Sequence, residues 1–168
     1  MGQIRHDLGR IVGKDEAAFV RLERDFAATP DEVWAMLTAP ERLAIWLQAS
    51  VDLEPYAGGA ITLRFANTGT TIQGQIVHFD APWVLEYTWA LAGEPASVVR
   101  FELQPAATSA GTHLCLTHSR CGAHAPHLFA AGWHHHLELL AAQLAGQPVA
   151  WDWDRYNEVF AQYGVSAA

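Results

Sequence analysis

The sequence predicts an α+β domain in which a curved antiparallel sheet of about six or seven strands wraps one long C-terminal helix, with two short helices after the first strand. Three observations carry this. Alternation of apolar and polar residues recurs from Ala17 to Ser119 and is punctuated by turn residues. Helix-start signatures interrupt it near Thr29. A single apolar stripe with helical period then occupies roughly residues 126–144.

A chain of 168 residues is most simply one domain, large enough to bury about two-thirds of its unfolded surface. Residues 1–16 read as a lead-in, 17–146 as the domain, and 147–168 as an amphipathic tail packed on it. In "AAFVRLERDF", Ala18, Val20, Leu22, Arg24 and Phe26 share one face, a strand pattern. "TPDEVWAML" supplies Thr29 as N-cap, Pro30 at the first helical position and Glu32 three residues after the cap, a capping box. A second box, Thr38, Pro40 and Glu41, opens "PERLAIWL".

The strands follow. "GGAITLRFANTG" places Ile61, Leu63 and Phe65 opposite Thr62 and Arg64, and "TTIQGQIVHF" runs to a turn at residues 80–82. In "WVLEYTW", Trp83, Leu85, Tyr87 and Trp89 share a face; "SVVRFELQP" and "THLCLTHS" continue the pattern, with Leu114, Leu116 and His118 in register. The loops are too short for helical crossovers, so the strands form an antiparallel meander. On the last long helix Trp133, Leu137, Leu140, Ala141 and Leu144 form one stripe, which Gly146 and Pro148 end. The tail carries Trp153, Tyr156, Phe160 and Tyr163 at helical spacing.

Composition excludes several classes. Net charge is −8 and the basic residues are scattered singly, whereas a nucleic-acid binder needs a basic stripe; anionic membrane surfaces are disfavoured for the same reason. No apolar run approaches the ~20 residues of a membrane span. The N-terminus has no secretory apolar core, and His6 stands where myristoylation needs Ser or Thr. The two cysteines, Cys115 and Cys121, lie outside any CxxC pattern, so a reducing cytoplasm is the expected compartment.

"GWHHHLELLAAQLAG" raises the question of a metal. Successive helical residues point about 100° apart, so His134, His135 and His136 diverge, with His135 toward solvent and the other two flanking the stripe. His127 and His134 share an azimuth but lie about 10 Å apart by helical rise, too far for a common ion with bonds of about 2.1 Å. A metal built with His118, His124 or His78 is the alternative; no metal and no cofactor are expected. P-loop, GxGxxG, GxSxG and HExxH patterns are absent. Asp152 and Asp154 read as helix-start carboxylates, Glu86 as a solvated residue with pairing to Arg100 as the alternative, and Cys115 as an inert thiol.

The segments "RDFAATPDEVWAMLTAPERLAIWL" (24–47), "GG" (58–59), "GQIVHFDAPWVLEYTW" (74–89) and "GWHHHLELLAAQLAG" (132–146), in this order, resemble the SRPBCC (START/Bet v 1-like) superfamily, and within it the Hsp90 ATPase activator homologue-like group. The resemblance implies a helix-grip fold, with a cavity between the concave face of the sheet and the long helix. It agrees with the periodicity, since the strand faces and the helical stripe need each other for burial, about 1.5–3 kcal/mol per large side chain. Candidate lining residues are Trp46, Phe65, Ile76, Leu85, Tyr87, Trp89, Phe101, Leu103, His118, Trp133 and Leu137, with Tyr87 and His118 as the polar members. The alternative is that these aromatics simply fill the core.

Three functions follow. The first is non-enzymatic binding of a hydrophobic or aromatic small molecule in the cavity. The second, from the group's name, is a chaperone-associated interaction protein; such activators pair this domain with a separate N-terminal one, for which this chain leaves no room. The third is a cyclase, dehydratase or hydrolase using Tyr87 and His118 as acid and base; the family supplies no fixed catalytic set. Free sheet edges leave a homodimer open.

Overall fold

The computed structural model describes residues 8–107, 110–122 and 126–166. Strand β1 (Arg10–Val12) pairs with β2 (Phe19–Phe26), and β2 with β8 (Thr112–Ser119). The sheet continues through β7 (Ser97–Pro105), β6 (Val84–Trp89), β5 (Thr70–Asp80), β4 (Ala60–Phe65) and β3 (Ala49–Leu53), eight antiparallel strands in the order β1-β2-β8-β7-β6-β5-β4-β3. Helices α1 (Pro30–Thr38) and α2 (Pro40–Leu47) join β2 to β3. Helix α3 (Pro126–Leu144) is the long one, and α4 (Trp153–Ser166) follows it.

The expected faces form one core. Val20, Leu22 and Phe26 of β2, Leu114, Leu116 and His118 of β8, Ile61 and Leu63 of β4, and Leu85 and Tyr87 of β6 are buried together with Trp133, Leu137 and Leu140 of α3. The sheet bends where β5 carries a register shift between Ile76 and His78. Close by, a Cβ at Gly74 would overlap the Thr88 carbonyl oxygen, so the cross-strand approach there requires glycine. The α1 box is formed: Thr29 Oγ1 accepts from the Glu32 N–H at 3.3 Å, and Glu32 accepts from the Thr29 N–H at 2.7 Å.

Several expectations are corrected. Two strands, β1 and β3, are additional to those expected: β1 has only three residues, while β3, Ala-Ser-Val-Asp-Leu, alternates but follows α2 directly, with only Gln48 between them. The second capping box does not form: Ala39 is the N-cap of α2, and Thr38 is spent on the last turn of α1, donating to the Trp34 carbonyl at 2.8 Å. Trp83 precedes β6 at the turn and is 40% exposed instead of facing the core. Ala141 is exposed, because at 100° per residue it stands at the edge of the stripe, whereas Leu144 beyond it still packs on the core. Glu86 sits directly across from Arg100 and pairs with it at 3.2 Å, the alternative over a merely solvated carboxylate.

The largest correction concerns His135, which is 3% exposed rather than pointing to solvent. The tail covers that side of α3: Trp151 packs on the His135 ring at 4.5 Å, and α4 lies alongside. Helix α4 buries Val159 and Tyr163, whereas Trp153 and Phe160 are exposed, so its buried edge is narrower than the aromatic spacing implied. Asp152 Oδ1 accepts from the Asp154 and Arg155 N–H groups at 3.0 and 3.1 Å, the helix-start role read from sequence. Among the described residues both cysteines are free, and no helix is long and apolar enough to cross a membrane.

Candidate functional site

Divergence of the three helical histidines is what the 100° step requires, and each finds its own partners. His134 Nδ1 lies 3.0 Å from the Tyr163 hydroxyl and 3.4 Å from Arg24, and its Nε2 3.5 Å from Glu138. His135 Nε2 accepts from the Asp152 N–H at 3.1 Å, which leaves Nδ1–H to donate to Glu138 at 3.0 Å. Arg155 also grips Glu138 through Nε at 3.1 Å. Burial pushes the Glu138 carboxyl up, but the bonds from His134, His135 and Arg155 outweigh it and hold the group well below the usual carboxylate range. These two histidines therefore fasten α4 to α3. Among the described residues no cluster of three or more His, Cys, Asp or Glu is placed to hold a metal, and His124 lies outside those residues.

His136 belongs to a different neighbourhood. Its Nδ1 is 3.0 Å from the Trp46 carbonyl, which can only accept, so Nδ1 carries the proton. Burial, with a further contribution from His135, lowers its pKa to about 4, so the ring is neutral near pH 7. It joins an aromatic cluster between sheet and helix: Trp89 and Trp133 meet edge to face at 5.4 Å, Phe101 and Trp133 at 5.8 Å, and Phe65 lies 6.0 Å from Trp89 and 6.2 Å from His136. A pocket of about 100 Å³ lies beside α3, lined by Phe65, Trp89, Leu128, Phe129, Gly132, Trp133 and His136.

His118 and Tyr87, the polar pair singled out from the sequence, lie two strands apart, each directly across from Val99. Trp133 Nε1–H donates to His118 Nδ1 at 2.9 Å. His118 Nε2–H therefore donates to Ser97 Oγ at 2.7 Å, and the Ser97 hydroxyl donates to the Trp89 carbonyl at 3.2 Å. Both ring nitrogens are engaged in a neutral tautomer, and burial lowers the pKa to about 3. Tyr87 is buried, its hydroxyl has no hydrogen-bond partner among the described residues, and desolvation raises its pKa. Burial thus keeps the Tyr87 phenol and the His118 imidazole both uncharged near pH 7.

Of the expected lining residues, Phe65, Trp89 and Trp133 reach the pocket. Trp46, Phe101 and His118 form the layer behind Trp133. Ile76, Leu85, Tyr87, Leu103 and Leu137 belong to the wider core. Leu128, Phe129, Gly132 and His136 were not foreseen. The signal was present: residues 129, 132, 133 and 136 fall at i, +3, +4 and +7, one face of α3, which the histidine triplet obscured. Two larger clefts, about 520 Å³ each, lie on the other flank of α3 against β2; they are open grooves with mixed charge, sharing Asp25, Phe26 and Ala141.

Comparison with known proteins gives the following. A family model described as activator of Hsp90 ATPase homolog 1-like protein matches residues 27–145. No curated protein matches the chain. Among solved structures, CalU16 from Micromonospora echinospora is similar at 24% identity and a TM-score of 0.76, over 94% of this chain and 92% of that one. A Bordetella parapertussis protein solved by NMR is 29% identical, with a TM-score of 0.72 over 94% and 91% of the two chains. An Hsp90 activator from Plasmodium falciparum is 16% identical with a TM-score of 0.64, over 77% and 97% of the two chains, a likeness of fold alone. DynU16, a protein in the dynemicin biosynthetic locus, is 25% identical with a TM-score of 0.69, over 80% of this chain and 50% of that one.

Proposed function

The chain belongs to the activator of Hsp90 ATPase homolog 1-like family, in the SRPBCC (START/Bet v 1-like) superfamily, and on that premise we propose that it binds a small hydrophobic or aromatic molecule between its sheet and long helix. The observation that carries this reading is the pocket of about 100 Å³ at Phe65, Trp89, Phe129, Gly132 and Trp133. A concave, mostly apolar site with few polar groups is the usual form of a small-molecule site. Similarity to a protein of the dynemicin biosynthetic locus supports a role beside small-molecule metabolism.

The test is a thermal-shift and titration screen of small lipophilic compounds against the wild type and Gly132→Leu. Ligands that raise the Tm of the wild type and lose affinity in Gly132→Leu support the reading. No stabilisation by any compound, with the two proteins indistinguishable, refutes it. The family's description favours a second reading, an Hsp90-associated interaction protein. Hsp90 ATPase turnover with and without the protein separates the two: small-molecule binding alone expects no change.

A further inference from the structure

Most of the pocket wall is hydrocarbon, and its polar atoms are few. The Trp133 N–H is already given to His118. His136 Nδ1–H is given to the Trp46 carbonyl, which leaves the Nε2 lone pair without a partner among the described residues. The site thus presents one acceptor on an apolar surface, and its volume of about 100 Å³ limits a bound group to at most a single ring, since benzene occupies apolar cavities of about 150 Å³. A hydroxyl is a group that answers it without a charge, because it donates. Charged groups are disfavoured: neither an ammonium nor a carboxylate would find a counter-ion there. Gly132 completes the wall, with no atom within 4 Å of where a Cβ would stand.

Resting on the ligand-binding reading above, we propose that His136 Nε2 is the acceptor that recognises the ligand, and that the ligand is an uncharged aromatic compound carrying a hydroxyl group. The imidazole remains a neutral acceptor across the physiological range because burial keeps its pKa near 4.

The experiment titrates the full chain with phenol and toluene, which have similar shape and differ in the hydroxyl, and with benzoate as the charged control. His136→Asn keeps an N–H for the Trp46 carbonyl and removes the Nε2 acceptor. The expected result is that the phenol-to-toluene affinity ratio falls roughly three- to tenfold in His136→Asn, the value of one hydrogen bond, while toluene still binds and benzoate binds neither protein. In the wild type, phenol but not toluene shifts the His136 Nε2 nitrogen resonance, a readout independent of how well the variant folds. An unchanged ratio with toluene still bound, or a resonance indifferent to phenol, overturns the role of His136 and leaves the pocket standing. Failure of both phenol and toluene to bind the wild type overturns the pocket as well.

Discussion

His118 shows how far one side chain is determined by its surroundings. Because it accepts from Trp133 and donates to Ser97, protonation would break a bond as well as place a charge in the core. His118 and His136 titrate at about 3 and about 4 in the folded protein, against about 6.5 in an unfolded chain. The sign follows: their contribution to stability is complete above pH 6.5 and is lost as pH falls toward the folded values, at about 1.4 kcal/mol per pH unit for each. His113 acts oppositely. The Asp25 carboxylate at 2.7 Å raises its pKa, so its stabilisation is present at low pH and lost as pH rises through the folded value. Urea unfolding between pH 7 and 5 is expected to show a falling midpoint, and His118→Phe a flatter dependence with about 1–3 kcal/mol lost at pH 7 from the stranded Trp133 and Ser97 groups. That His118 faces inward was legible from its register with Leu114 and Leu116. Its neutral state was not, since its two partners come from β7 and α3.

Helix α3 was the most legible element, spanning Pro126–Leu144 as expected, with its C-terminal end marked by the Gly146–Pro148 stop. Its back was illegible, because amphipathicity locates one buried face and α4 with Trp151 makes a second that buries His134, His135 and Leu139. Within it Gly132 stands against helix propensity, by roughly 1 kcal/mol relative to alanine. A Cβ there meets no neighbouring atom, so Gly132→Ala is expected to raise stability by up to about 1 kcal/mol while narrowing the pocket, measured together as a higher Tm and weaker toluene binding. A purely structural Gly132 would give the first effect without the second. At the other end of the fold, Thr29→Ala removes a formed cap and is expected to cost about 1 kcal/mol in urea unfolding, whereas Thr38→Ala leaves α2 without loss of any N-cap bond.

At the scale of the whole molecule the segments at both ends of the described residues are tied to the long helix. The Gly9 N–H donates to the Tyr163 hydroxyl at 2.7 Å, and that hydroxyl lies 3.0 Å from His134. Tyr163→Phe is therefore expected to cost about 1–3 kcal/mol in chemical denaturation, with local loosening of α4 and of the chain at Gly9 visible by hydrogen exchange. The antiparallel meander was legible because its strands are local in sequence. Its closure was less so: β2 reaches across to β8, and Leu22 lies opposite Leu116. That long-range pairing has a consequence for synthesis. At ribosomal rates of about 5–20 residues per second, the partner of Leu22 is made on the order of 5–20 s after it, and contacts so distant along the chain are slow to form even then. During translation β2 waits with its hydrogen-bonding edge bare, so the nascent chain is at its most vulnerable to aggregation just before its final strand emerges.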